Sequence, residues 1–261
     1  MQVESSEINI AGCRLPAQRI IPPQLSKTPP IIFLHDSFGS IRLWRMFPER
    51  VALQMHCEAF IYERQGHGHS CAFSKERTIT YMDEEAELLL ELLDHWQLRT
   101  CILFGHSDGG TIALLAAALA PDRFAAIITE GAHVFVEEKT LLGIRTTGGD
   151  YATTDLKQRL QKYHGDKTDA LFHAWSDTWQ APWYRDWNIE QRLCYVRCPV
   201  LVIQGENDEY GTERQVDAIV NQVAGPARKA MIPNCGHTPH KEAAAATLAA
   251  TVEFLRSILH Q

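Results

Sequence analysis

One segment limits the folds open to this chain more than any other. An unbroken apolar run, Thr100 to Phe104, passes through Gly105-His106-Ser107-Asp108-Gly109 into an alanine-rich run, Thr111 to Ala120. Apolar residues without alternation suit a strand buried on both faces, as in a parallel sheet. The alanine- and leucine-rich run suits a helix. The two segments join through a turn so tight that side chains at Gly105 and Gly109 would collide. Ser107 is then held at the carboxyl edge of the sheet, beside a helix N-terminus whose free N–H groups favour negative charge. A G-x-S-x-G match alone says little, but between a strand and a helix it marks a nucleophile candidate.

Strands alternate with helices along most of the 261 residues. Ser6–Ile10 and Gln18–Ile21 read as short strands, and Ile31–His35, "EAFIYER", Ala125–Gly131, "PVLVIQG" and "ARKAMIP" as further ones. Helical runs are "SIRLWRMFPERVALQM", which Pro48 kinks or divides, "TYMDEEAELLLELLDHWQL", "TERQVDAIVNQV" and "KEAAAATLAATVEFLRSIL". Thr80 with Asp83 resembles a capping box at the start of the second. The pattern predicts an α/β fold, a mostly parallel sheet covered by helices on both faces. Residues 133–190 break the rhythm and read as a helical insertion, leaving 1–132 and 191–261 as the two parts of the core.

The bulk properties exclude several classes. A net charge of −7 argues against nucleic acid, whose phosphates call for a basic face. No apolar run approaches the roughly eighteen residues of a membrane span. The first residues carry no basic and apolar pattern of a secretory leader. Seven scattered cysteines, an odd number, suit reduced thiols in the cytoplasm better than a disulfide framework. Cys194 and Cys198 lack a second pair to complete a zinc site and read as small apolar residues entering a strand. His67-Gly-His69 has the spacing of a metal pair, but no third ligand follows, so both read as free turn histidines.

A serine needs a base to become nucleophilic, and the base needs an orienting acid. "LVIQGENDEYG" places Asp208 just beyond a strand, and "MIPNCGHTPH" places His237 just beyond the last one. Glu206 and Glu209 are rival acids. His240 is a rival base, read as a surface residue opening the final helix. An oxyanion formed at Ser107 needs N–H donors, expected from Asp108 and from the loop "HDSFGS", His35 to Ser40. Asp108 also reads as an acid at a helix N-terminus, or as a holder of a cationic substrate group. Glu130 and His133 end a strand near the site and either line the pocket or satisfy loop hydrogen bonds.

In these segments the chain resembles the α/β-hydrolase superfamily, outside the insertion. "HDSFGS" is similar to its H-G-x-x-G loop and "ERQGHGHS" to its D-x-x-G-x-G-x-S segment. The order Ser107, Asp208, His237 is the order that resemblance implies, with Asp208 favoured by its offset from Gly205. By position Ser37 lends the second oxyanion N–H. Asp36 replaces the family's glycine and Glu63 its aspartate; the first bears on the cradle, the second on loop packing. The resemblance also implies that the insertion is a helical cap.

Trp175, Trp179, Trp183 and Trp187 recur every four residues in the insertion, with Pro182 starting a new turn. They read as the insertion's own core, and with His133 the first three as candidate walls of an apolar pocket. The expectation is therefore a serine hydrolase that cleaves a small or medium carboxylic ester through an acyl-enzyme, with no metal or organic cofactor. Its expected partner is a small acyl substrate. A C–C hydrolase of ring-cleavage products, a thioesterase and a lactonase use the same residues, and a non-catalytic binding protein is the rival of another class.

Overall fold

The structure, a computed structural model, describes residues 1–10 and 12–259. Its strands are β1 (Gln2–Ile10), β2 (Cys13–Ile21), β3 (Ile31–Leu34), β4 (Ala59–Tyr62), β5 (Cys101–His106), β6 (Phe124–Glu130), β7 (Val200–Gly205) and β8 (Ala227–Ile232). They form one sheet in the order β1-β2-β4-β3-β5-β6-β7-β8. β2 pairs antiparallel with β1 and with β4, and every other pair is parallel.

The helices are α1 (Phe47–Met55), α2 (Tyr81–His95), α3 (Asp108–Leu119), α4 (Glu138–Thr153), α5 (Leu156–His164), α6 (Thr168–Gln180), α7 (Glu190–Leu193), α8 (Glu213–Gln222), α9 (Pro239–Glu242) and α10 (Ala244–Leu259). Because successive strand residues face opposite sides, the all-apolar strands feed two cores. Ile32, Leu34 and Leu103 join Met82 and Leu89 of α2 and Ile112 of α3 on one side. Ile31, Phe33 and Phe104 join Val51 and Met55 of α1 and Phe254 and Leu255 of α10 on the other. The stretch from 133 to 190 carries α4, α5 and α6 and the start of α7, entered from β6 and left toward β7.

Several sequence expectations change in detail. The first two strands are longer than predicted, because β1 is an edge strand whose Gln2–Glu7 stay exposed and carry no apolar pattern of a buried face. Thr80 does not cap α2; its backbone is already close to helical, and its hydroxyl meets Thr78 instead. The "SIRLW" helix breaks at Arg45, which has positive φ, and Pro48 sits harmlessly in the first turn of α1. The last helix divides into α9 and α10 at Ala243. Of the pair Cys194 and Cys198, the first is exposed and the second buried.

The reduced-thiol expectation fails for one pair. Cys13, opening β2, is disulfide-bonded to Cys71, whose Cα lies 5.6 Å away. An apparently scattered cysteine set hid it, since the partners are 58 residues apart. A disulfide belongs to oxidising surroundings, so the cysteines no longer argue for a cytoplasmic location. Among the described residues no helix is long and apolar enough to cross a membrane.

Candidate active site

Ser107 stands between β5 and α3 with φ 53°, a left-handed conformation that a non-glycine residue adopts at a cost. The turn is held by the Ser107 N–H, which donates to the Glu130 carbonyl at 2.7 Å. A Cβ at Gly105 would strike the Gly109 carbonyl, and one at Gly109 would strike the Leu34 carbonyl. The two glycines are what lets α3 begin against the ends of β5 and β3.

The structure brings Ser107, His237 and Asp208 together from three strand ends. His237 Nε2 lies 3.0 Å from Ser107 Oγ, and His237 Nδ1 lies 2.9 Å from each Asp208 oxygen. Asp208 Oδ1 also accepts the N–H groups of Tyr210 and Gly211, at 2.8 and 3.1 Å. Burial alone would raise the pKa of Asp208, but the charge and hydrogen bond of His237 hold it well below the aspartate range. Burial alone would lower that of His237; the Asp208 charge, reinforced by Glu209 and Asp36, raises it to about 9.

The rivals separate clearly. Glu206 is exposed, whereas Glu209 accepts the His237 N–H at 3.1 Å and so supports the loop rather than the ring. His240 is buried, not on the surface as expected. Its Nδ1 lies 2.9 Å from Glu130, whose carboxylate also accepts the His240 N–H at 2.7 Å. His106, Glu130 and His240 bring ligand-type atoms within 4.8 Å of one another, the place among the described residues where a cation would be sought. Glu130 and His240 already satisfy each other there. His67, expected free, is buried, its ring nitrogens 2.9 and 3.1 Å from the carbonyls of Gln65 and Ser37. His69 is exposed.

Ser37 and Asp108 both border the cavity above Ser107. The Asp108 N–H opens α3 and is one of the amides that helix geometry leaves without an intrahelical acceptor. The loop of Ser37 is gripped from below by Arg64, fully buried, whose Nη2 donates to the carbonyls of His35 and Asp36 at 3.2 and 3.0 Å. The same Nη2 is 3.9 Å from Asp108 Oδ2, which has no hydrogen-bond partner. Glu63 accepts the N–H groups of Ile41 and His69, a role in holding the loop.

A cavity of about 200 Å³ opens over Ser107. Asp36, Asp108 and Glu209 are its carboxylates; His133, Phe38, Trp175, Trp179 and Tyr210 supply rings, and Thr140 and Ile144 come from α4. Trp175 packs 4.7 Å from Phe38, and Trp179 5.5 Å from His133. Trp183 is misassigned as a pocket wall: it is 49% exposed and faces away, because Pro182 ends the helical phase. Trp187 packs instead with Tyr184 and Trp179 as a small core. Sequence reasoning missed Phe38, Arg64 and Tyr210, although each is within two residues of a motif position already singled out.

A sheet of this order, with a serine at the strand–helix turn and an acid and a histidine at later strand ends, defines a class. The chain belongs to the alpha/beta hydrolase family, whose model matches residues 31–251. It is 27% identical over 185 residues to the human serine hydrolase BPHL, covering 69% of this chain and 62% of that protein's length. It is 22% identical over 261 residues to 2-succinyl-6-hydroxy-2,4-cyclohexadiene-1-carboxylate synthase of Shigella sonnei, covering 87% of this chain and 94% of that one. In fold it is similar to a 2-hydroxy-6-oxo-6-phenylhexa-2,4-dienoate hydrolase from Rhodococcus sp. strain RHA1. There the TM-score is 0.83 and the identity 16%, over 98% of this chain and 99% of that one.

Proposed function

We propose that this protein is a serine hydrolase of small or medium uncharged carboxylic esters, with the helices between β6 and β7 acting as a cap. The observation that carries the reading is the bonded series from Ser107 Oγ through His237 to Asp208 beneath a cavity. Ser107 Oγ attacks the acyl carbon as its proton passes to His237 Nε2. The Ser37 and Asp108 amides stabilise the oxyanion, His237 protonates the departing alcohol, and a water activated by His237 then releases the acid. Asp208 orients the imidazole and stabilises its cation.

The charge of the cavity favours the ester reading over the C–C alternative. Three carboxylates and, among the described residues, no Lys or Arg line it. Two relatives are named for a dienoate and a carboxylate, which are anions. A carboxylate ~6 Å from a substrate anion costs at most about 3 kcal/mol at an effective dielectric of ~20, less at Asp108 and Asp36, which have Arg64 and His106 beside them. The three carboxylates favour, as a second reading, an ester bearing a cationic group.

Ser107→Ala is expected to abolish turnover and fluorophosphonate labelling with an unchanged circular dichroism spectrum, leaving only the trace that oxyanion donors retain. Retention of near wild-type activity by this variant would refute the nucleophile assignment, and a wild type that neither turns over esters nor takes the fluorophosphonate would favour a binding protein. Matched neutral, cationic and hemisuccinate esters then test the charge argument: the anionic ester is expected to be the slowest by at least about tenfold. Equal rates across the three would remove it.

A further inference from the structure

The proposed mechanism leaves a set of buried polar groups behind His237 unused. His106 ends β5 beside Ser107 and is 1% exposed. Its Nε2 lies 2.9 Å from the backbone carbonyl of His237. Its Nδ1 has no hydrogen-bond partner and lies 3.7 Å from Asp36 Oδ1. A carbonyl oxygen and an ionised carboxylate can only accept, and a neutral imidazole carries a single N–H. Nε2 therefore carries a proton and donates to the His237 carbonyl, while Nδ1 faces the carboxylate. The carboxylate is held in its charged form to match: burial alone would raise the pKa of Asp36, but His106, with Lys241 and His35, keeps it well below the aspartate range.

The placement of this pair gives it a consequence. Asp36 belongs to the loop that carries Ser37 and stands where the H-G-x-x-G pattern has glycine. The His237 carbonyl belongs to the loop that carries the proposed base. The far end of that second loop is tied separately, by Glu130 to the N–H and ring of His240. Removing the His106 bond thus frees the loop only at His237 itself, the residue whose ring must stay 3.0 Å from Ser107 Oγ.

We propose that Asp36 and His106 form a side-chain contact that ties the proposed oxyanion loop to the loop of His237, making both of them positioning residues for the base. The other charged or titratable groups facing His106 are Glu130 from β6, His237 from the β8–α9 loop and His240 from α9, with Lys241 acting on Asp36. Asp36 and His106 tie the two loops while the Asp36 charge favours the imidazolium that forms on His237. They fix the geometry without opposing the proton transfer, a role that rests on the serine-hydrolase reading.

Nitrogen-15 NMR of histidine-labelled protein reads the ring directly. His106 is expected to show a protonated, hydrogen-bonded Nε2 in the wild type, and an Nδ1 resonance that moves in Asp36→Asn. Kinetics on a small neutral ester with Asp36→Asn, His106→Gln and the double variant supply the second readout. Each single change is expected to lower kcat about tenfold with KM within about twofold, and the double variant to be no slower than the slower single. A His106 Nε2 without a proton, an unmoved Nδ1 resonance in Asp36→Asn, unchanged kcat, or losses that simply add would each overturn the proposal. If His106→Gln does not fold, the NMR and kcat of Asp36→Asn decide. The NMR result needs no turnover, so it stands apart from a failure of the Ser107 assignment.

Discussion

His237 sits between opposed influences, and the balance makes its behaviour with pH specific. Burial disfavours its cation, while the Asp208 charge and hydrogen bond, then Glu209 and Asp36, favour it enough to bring its pKa to about 9. A histidine whose pKa is raised on folding stabilises the protein fully below the free-imidazole value and loses that contribution as pH climbs through about 9. Catalysis runs the other way, because the proposed base must be neutral. We expect kcat/KM for a neutral ester to rise about tenfold per pH unit on the acid side and to level off near about 9, while Tm falls over the same interval. Asp208→Asn removes the largest favourable influence, so the midpoint should move down as the plateau drops. An unmoved midpoint in that variant would remove Asp208 from the account of the base. Ser107, Asp208 and His237 were legible in the sequence because each is tied to the end of its own strand by a few neighbouring residues. His240 was not: "PHKEAAAA" reads as the exposed opening of a helix, and the partner that buries it, Glu130, lies 110 residues earlier.

Among the elements, α6 shows how far a period can be trusted. Trp175 and Trp179 are one helical turn apart and both reach the cavity, as their spacing allows. The same period carried on to Trp183 fails, since Ala181 leaves the helix with an extended backbone and Pro182 begins a separate 3-10 turn. Phe38, Tyr210 and Thr140 escaped the sequence for another reason. They face the cavity because of how α4 and α6 lie over the sheet, and no local pattern encodes that. Emptying part of an apolar wall is worth roughly 1–3 kcal/mol per methylene-sized contact, enough to reorder a chain-length series. Trp175→Leu or Trp179→Leu should therefore shift the ratio of kcat/KM between long and short esters by about tenfold, with Trp183→Leu as the unaffected control. Should Trp183→Leu alone shift the ratio, the cavity described would not be the one that holds the substrate.

For the molecule as a whole, the Cys13–Cys71 bond joins the antiparallel edge to the loop that carries Arg64 and His67. Closing a loop with a sequence separation of 58 residues is worth about 4 kcal/mol in the chain-entropy account. Cys13→Ser with Cys71→Ser, or a reducing agent on the wild type, should lower the unfolding free energy by about 2–4 kcal/mol in a denaturant titration. Equal midpoints with and without reductant would mean that the pair contributes nothing in solution. The sheet order has a different kind of consequence. The helical stretch leaves from β6 and returns at β7, and those two strands are direct neighbours, Ile127 opposite Val200. Its two ends are therefore anchored side by side, bridged to each other by Phe135 and Asn188, and none of its described residues pairs with a strand of the sheet. A line of descent, or an engineer, can exchange that stretch for another of similar span without redrawing the sheet. Substrate range and reaction chemistry can then change on separate schedules within one gene.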